Sequence, residues 1–127
     1  MTQEDKGLLL KDLCARLPYG VKVECKWKTP APNGTYGMVC TLDSFLLDQI
    51  YNVDDVDVPF DEFKPYLFPL SSMTEEQIKE FNSITQKCST YIGKSILLTD
   101  FCNKHHIDWR GFIEKGLALD ATGKNVY

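Results

Sequence analysis

Apolar and polar positions recur along this chain with two different periods, and the change of period divides it. Val21, Val23, Cys25 and Trp27 alternate strictly with Lys22, Glu24, Lys26 and Lys28. Period two over eight residues puts one row of side chains in a core and the other in water, so the segment predicts a strand with a basic-leaning outer face. Before it, Leu9, Leu10, Leu13, Cys14 and Leu17 recur every three or four residues and predict a helix over Asp5 to Leu17. Pro18 and Gly20 stop that helix.

Thr29 to Gly37 holds prolines, glycines and an Asn33-Gly34 pair, which reads as a loop with a turn. Met38 to Leu42 predicts a second strand. Ile50 to Val53 and Val56 to Val58 predict two more, joined through Asp54-Asp55. Pro65 limits the segment Asp61 to Tyr66 to a single helical turn. Tyr66, Phe68 and Leu70 alternate again, with Pro69 suited to an edge strand that could pair between copies.

From Ser71 onward the period is helical. Thr74 with Gln77, and Ser72 with Glu75, are capping-box spacings. They predict a helix over Thr74 to Lys87, with Ile78, Phe81, Thr85 and Cys88 on one face. A further helix is expected over Ser95 to His106, with Leu97, Leu98, Phe101, Cys102 and His105 as its apolar side. Asp108 reads as the cap of a short helix through Lys115, closed by Gly116. The tail, Thr122 to Tyr127, reads as loose.

The expected fold is a single α+β domain over residues 1–127. An N-terminal helix (1–19) precedes a small, curved antiparallel sheet at about residues 20–70, whose strand order resembles an SH3-like barrel. A helical C-terminal lobe (71–127) follows.

Composition sharpens this picture. The chain of 127 residues is 43% hydrophobic and 25% charged, which suits a soluble globular domain. No apolar run approaches the ~20 residues that cross a bilayer, and the polar start lacks a signal peptide, so the expectation is a cytoplasmic protein with no membrane role. Five cysteines, an odd number at long spacings without CxxC, read as reduced, buried structural thiols.

Three blocks carry a resemblance: Leu8-Leu-Leu-Lys-Asp-Leu-Cys-Ala-Arg-Leu-Pro-Tyr-Gly-Val, Lys64-Pro-Tyr-Leu-Phe-Pro-Leu-Ser-Ser-Met-Thr-Glu-Glu and His105-His-Ile-Asp-Trp-Arg-Gly-Phe-Ile-Glu-Lys-Gly-Leu-Ala-Leu. Together they resemble a family of small proteins encoded in gut-anaerobe genomes and their phages or other mobile elements. That family carries no assigned activity. The resemblance implies kinship and a phage–host setting, and it transfers no functional residue.

Charge is sorted along the chain. Asp43 to Glu62 holds seven acids and no base, whereas the whole chain is only −4, so the remainder sums to +3. A concentrated acidic face steers basic partners. The leading expectation is therefore a non-enzymatic binding or regulatory protein that engages a protein partner through this window. Asp54, Asp55, Asp57, Asp61 and Glu62 supply the charge, and Tyr51 and Phe60 the aromatic anchors. Asp54-Asp55-Val56-Asp57 is the nearest approach to a calcium loop, but it lacks that motif's glycine and distal glutamate.

One alternative is a nucleic-acid-binding module using Lys22, Lys26 and Lys28 near Trp27. Glu24 interrupts those lysines, and a pI near 5.1 argues against it. Another is a small metal- or thiol-dependent enzyme around Cys102, His105 and Asp108. Adjacent His105 and His106 diverge by about 100° on a helix, which opposes a shared ligand. The sequence contains none of the P-loop, dinucleotide, nucleophile-elbow or HExxH patterns. No catalytic or metal-binding residue and no cofactor is assigned.

Overall fold

In the computed structural model, residues 2–127 are described except 28, 30, 31, 33, 35, 36, 52–59, 88 and 89, with residues 60 and 61 described by their backbone alone. The first element, α1 (Gln3–Arg16), starts at a capping box in which the Thr2 hydroxyl accepts from Asp5 N at 3.0 Å and the Asp5 carboxylate answers the Thr2 amide. Its buried side is Leu9, Asp12, Leu13 and Arg16, and Cys14 is exposed. The stripe is thus rotated toward two charged residues rather than toward Leu10 and Cys14.

A 3-10 turn at Leu17–Tyr19 closes on Gly20 and leads into β1 (Lys22–Trp27). Val21, Val23 and Cys25 are buried, as the alternation requires. β1 pairs antiparallel with β2 (Gly37–Thr41) on one side and with β3 (Phe60–Pro69) on the other. Gly37 is needed at the start of β2, because a Cβ there would lie 2.2 Å from the Cys25 carbonyl oxygen.

Between β2 and β3 the chain forms α2 (Ser44–Tyr51), so Ile50 and Tyr51 are helical where a strand was expected. Asp43 explains it: Oδ1 accepts from Leu46 N at 2.7 Å, capping the first turn. Leu46 and Ile50, four residues apart, are the buried pair. The strand expected at Val56 to Val58 lies outside the described residues.

β3 replaces the helical turn expected around Pro65. Val23 faces Pro65 in the β1 ladder, and residues 60–65 pair with β1 alone among the described residues. A proline is tolerated in a strand whose other side makes no ladder there. Beyond Pro65, β3 gains two short parallel neighbours, with Tyr66 and Leu67 against β5 (Leu119–Asp120) and Phe68 and Pro69 against β4 (Ile107–Asp108). Tyr66 to Pro69 are therefore interior to the sheet and are not a free edge. The order β2-β1-β3-β4 is an open, mixed sheet, not the wholly antiparallel one expected, and its ends do not meet as an SH3-like barrel would require.

The helices α3 (Glu75–Lys87) and α4 (Tyr91–Lys104) follow. Thr74 and Gln77 make the expected reciprocal cap, at 3.0 and 3.2 Å. Ser72 does not form the second one, because its hydroxyl donates to Pro69 O. Thr90 caps α4, accepting from Gly93 N at 3.1 Å, so the helix begins four residues before Ser95. Asp108 does cap, accepting from Phe112 N and Ile113 N at 2.9 Å. What it caps is a run of turns rather than a helix, since Gly111 takes φ +77°.

Two apolar clusters result. The larger joins α1, β1, α2, β3 and the 112–118 turns through Leu9, Leu13, Val23, Leu46, Leu67 and Phe112. The smaller gathers Phe101, Cys102 and Ile107, with Phe81, Ile84 and Trp109 against them. The tail is not loose. The Tyr127 hydroxyl donates to Tyr66 O at 2.6 Å and accepts from Lys22 N at 2.9 Å, while its ring stacks on His106 at 3.9 Å.

Candidate functional site

The acidic window begins on α2, whose buried side is fixed by Leu46 and Ile50. That packing turns Phe45 and Tyr51 to solvent, 71% and 68% exposed, with Asp48 exposed between them. Both rings are thus held in water on a helix whose other side is packed. Tyr51 also lines a groove of about 880 Å³ between α1, α2 and β3, together with Lys6, Leu10, Glu62, Lys64 and Lys115. The structure thus brings together Tyr51 and Glu62 of the window. Asp54, Asp55 and Asp57 lie outside the described residues, as do the side chains of Phe60 and Asp61.

Glu62 is not a bare acid. Lys64 Nζ lies 3.0 Å from one of its oxygens and Lys26 Nζ 3.7 Å from the other. The Lys64 hydrogen bond, aided by both lysine charges, holds its carboxyl below the usual range. The same pairing alters the basic strand face. Lys26 is engaged by Glu62, Lys22 Nζ donates to Thr41 Oγ1, and Glu24 accepts from the Tyr66 hydroxyl at 2.7 Å. The outer face of β1 and β3 is a lattice of alternating signs, not a basic stripe. Lys28 lies outside the described residues.

The His and Cys group is dispersed. His105 packs its ring 4.6 Å from Phe101 and holds Nε2 3.7 Å from Glu80. His106, at φ +59°, turns the other way onto Tyr127. Burial, then the charge of Arg16 and the neighbouring His105, push the His106 pKa down to about 4, so it is neutral at pH 7. Cys102 is buried, and that burial pushes its thiol up, away from nucleophilic thiolate. Both Asp108 oxygens are engaged by backbone amides. Among the described residues no group of three or more His, Cys, Asp or Glu is placed to hold a metal ion.

Sequence reasoning missed a buried polar group. Arg16 and Asp12 are both fully buried. Arg16 Nε donates to Asp12 Oδ2 at 2.7 Å, and its Nη2 donates to Ile107 O at 2.7 Å. Arg110 Nε donates to Asp12 Oδ1 at 3.2 Å while its guanidinium lies over Trp109. One carboxylate thus holds two guanidiniums, and Arg16 ties α1 to β4 through Ile107 O. The signal was present in the chain: an Asp and an Arg four apart, astride the apolar Leu9–Leu13 side of a helix.

Among the described residues no helix is long and apolar enough to cross a membrane. No protein-family model, curated protein or solved structure matches this chain.

Proposed function

We propose that this is a non-enzymatic binding or regulatory protein whose docking surface is the outer side of α2 and the acidic window that follows it. The observation that carries the reading is the paired exposure of Phe45 and Tyr51 on a helix otherwise locked down by Leu46 and Ile50. Aromatic anchors on a rigid element, flanked by acids, suit a partner with an apolar pocket rimmed by basic residues. Asp43, Asp48 and the Asp54, Asp55 and Asp57 cluster supply long-range attraction, and the two rings supply short-range burial.

Cross-linking mass spectrometry of the tagged chain in its own host tests this. A Phe45→Ala/Tyr51→Ala variant should lose a prey that the parent chain captures, with an unchanged melting temperature. Reversal of Asp54, Asp55 and Asp57 to Lys should weaken the same capture, most strongly at low salt. Identical prey occupancy in all three proteins would remove the surface from consideration.

A further inference from the structure

Two buried side-chain nitrogens near the start of β4, Arg16 Nη1 and His106 Nδ1, make no hydrogen bond among the described residues. A buried polar atom without a hydrogen bond costs free energy, and native interiors supply the bond from protein or from ordered water.

Neither side chain is free to swing toward a new partner. Arg16 is fully buried, and its guanidinium is pinned at two points, Nε on Asp12 Oδ2 and Nη2 on Ile107 O, both at 2.7 Å. His106 is pinned by its backbone and by its ring. Its amide donates to Asn103 O, its carbonyl accepts from Phe68 N, and its ring lies on Tyr127 at 3.9 Å, 15° from parallel. Tyr127 in turn is held by Tyr66 O and Lys22 N. Arg16 Nη2 is bonded to the carbonyl of the residue that follows His106, so the two nitrogens belong to neighbouring groups. The Arg16 charge acts on His106 and also on Cys102 and Tyr127.

We infer that one internal water molecule bridges Arg16 Nη1 and His106 Nδ1. The chemistry of the two atoms selects it. A guanidinium nitrogen donates and does not accept. The His106 ring is neutral at pH 7, and the positive donor beside it favours a lone pair on the facing nitrogen, so Nδ1 accepts. The occupant must therefore accept on one side and donate on the other. A metal cation is repelled by the guanidinium, and a halide has no proton to give to Nδ1. Water does both, and it has the two polar partners that an internal water needs. The bridge joins the end of α1 to the turn after α4 and, through the ring stack, to Tyr127. It also fixes the tautomer of His106, with the ring proton on Nε2.

A high-resolution crystal structure of the full chain tests the site. A single peak should lie about 2.7–3.2 Å from both Arg16 Nη1 and His106 Nδ1. The inference is overturned by no peak at that position, by direct contact of the two nitrogens at hydrogen-bond distance, or by a halide there, which crystals grown in bromide would reveal through anomalous scattering. Nitrogen-15 NMR at pH 7 provides a second reading in solution. The chain has two histidines, so His106→Asn, which tolerates the left-handed backbone, leaves the His105 signals alone and identifies those of His106. The parent should show His106 as the Nε2–H tautomer. An Nδ1–H tautomer would set donor against donor at the proposed bridge and overturn it as well.

Discussion

The body around α1 and β1–β3 and the hairpin of α3 and α4 are both assembled from amphipathic segments, yet they are held by different means. In the body, Leu9, Leu13, Val23, Leu67 and Phe112 are almost wholly removed from water. In the hairpin, α3 has no buried residue, and the buried part of α4 is confined to Phe101, Cys102 and Asn103 at its end. Hydrophobic stabilisation follows the area buried, at roughly 25 cal/mol per Å². The body can therefore sustain buried charge, while the hairpin depends on its caps and on its anchored base. Where a large core exists, polar groups serve to fix geometry. Where it does not, apolar groups remain on the surface and become available to other molecules.

The largest effect that would sharpen this contrast is expected at Asp12. Replacing Asp12 with Ala leaves the fully buried Arg16 without its counter-charge and releases Arg110 as well. Loss of one partner from a buried ion pair costs about 3–5 kcal/mol. Chemical denaturation should show a loss of that order, with the whole body unfolding at lower denaturant. A loss under about 1 kcal/mol would mean that Arg16 finds water or another acceptor, and that the body is no better sealed than the hairpin.

A middle-sized effect is expected at the seam between the two regions, where His106 stacks on Tyr127. Its pKa is near 4 in the folded chain and about 6.5 unfolded, so between those values the unfolded state binds more protons. Folding stability is therefore present above pH 6.5 and is lost as pH falls toward 4. The loss should total about 2 kcal/mol, after allowance for the partial exposure of the ring. His106→Asn tolerates the left-handed backbone and should flatten this slope. At the other end of the scale, burial pushes Tyr127 and Tyr66 up to about 12. The unfolded tyrosines ionise near 10, so stability should fall again above pH 10. Urea titrations across both ranges, on parent and variant, check the signs.

What the chain disclosed in advance follows the same division. The strand over Val21 to Trp27 and the cap at Thr74 were legible because each depends on neighbours within a few residues. α2 was not, because Ile50 and Tyr51 suit a strand as readily as a helix until Asp43 is recognised as the cap. β3 was hidden by Pro65, whose tolerance depends on which side of the strand carries a ladder. The two-residue parallel strands at Ile107 and Leu119 have no local pattern, since tertiary closure alone sets them. Of the candidate site, Tyr51 was named from the sequence and is exposed, but Phe45 was not named, because only the helix assignment turns it outward. The lysine face looked basic in sequence because its neutralising partner, Glu62, arrives from a strand nearly forty residues away.

The smallest effect is the one that most directly tests whether the hairpin is a separate unit of stability. Thr90 caps α4 by accepting a hydrogen bond from Gly93 N. Thr90→Ala should cost about 1 kcal/mol of helix stability. If the hairpin opens independently of the body, that loss appears only in local opening. Amides of residues 93–97 should then exchange roughly fivefold faster, while amides of β1 keep their protection and the global denaturation midpoint stays in place. If the midpoint instead moves in step with the hairpin amides, the two regions unfold as one cooperative unit. The contacts that bind them, Arg16 to Ile107 O and Tyr19 to Asp100, would then couple the exposed helix to the core.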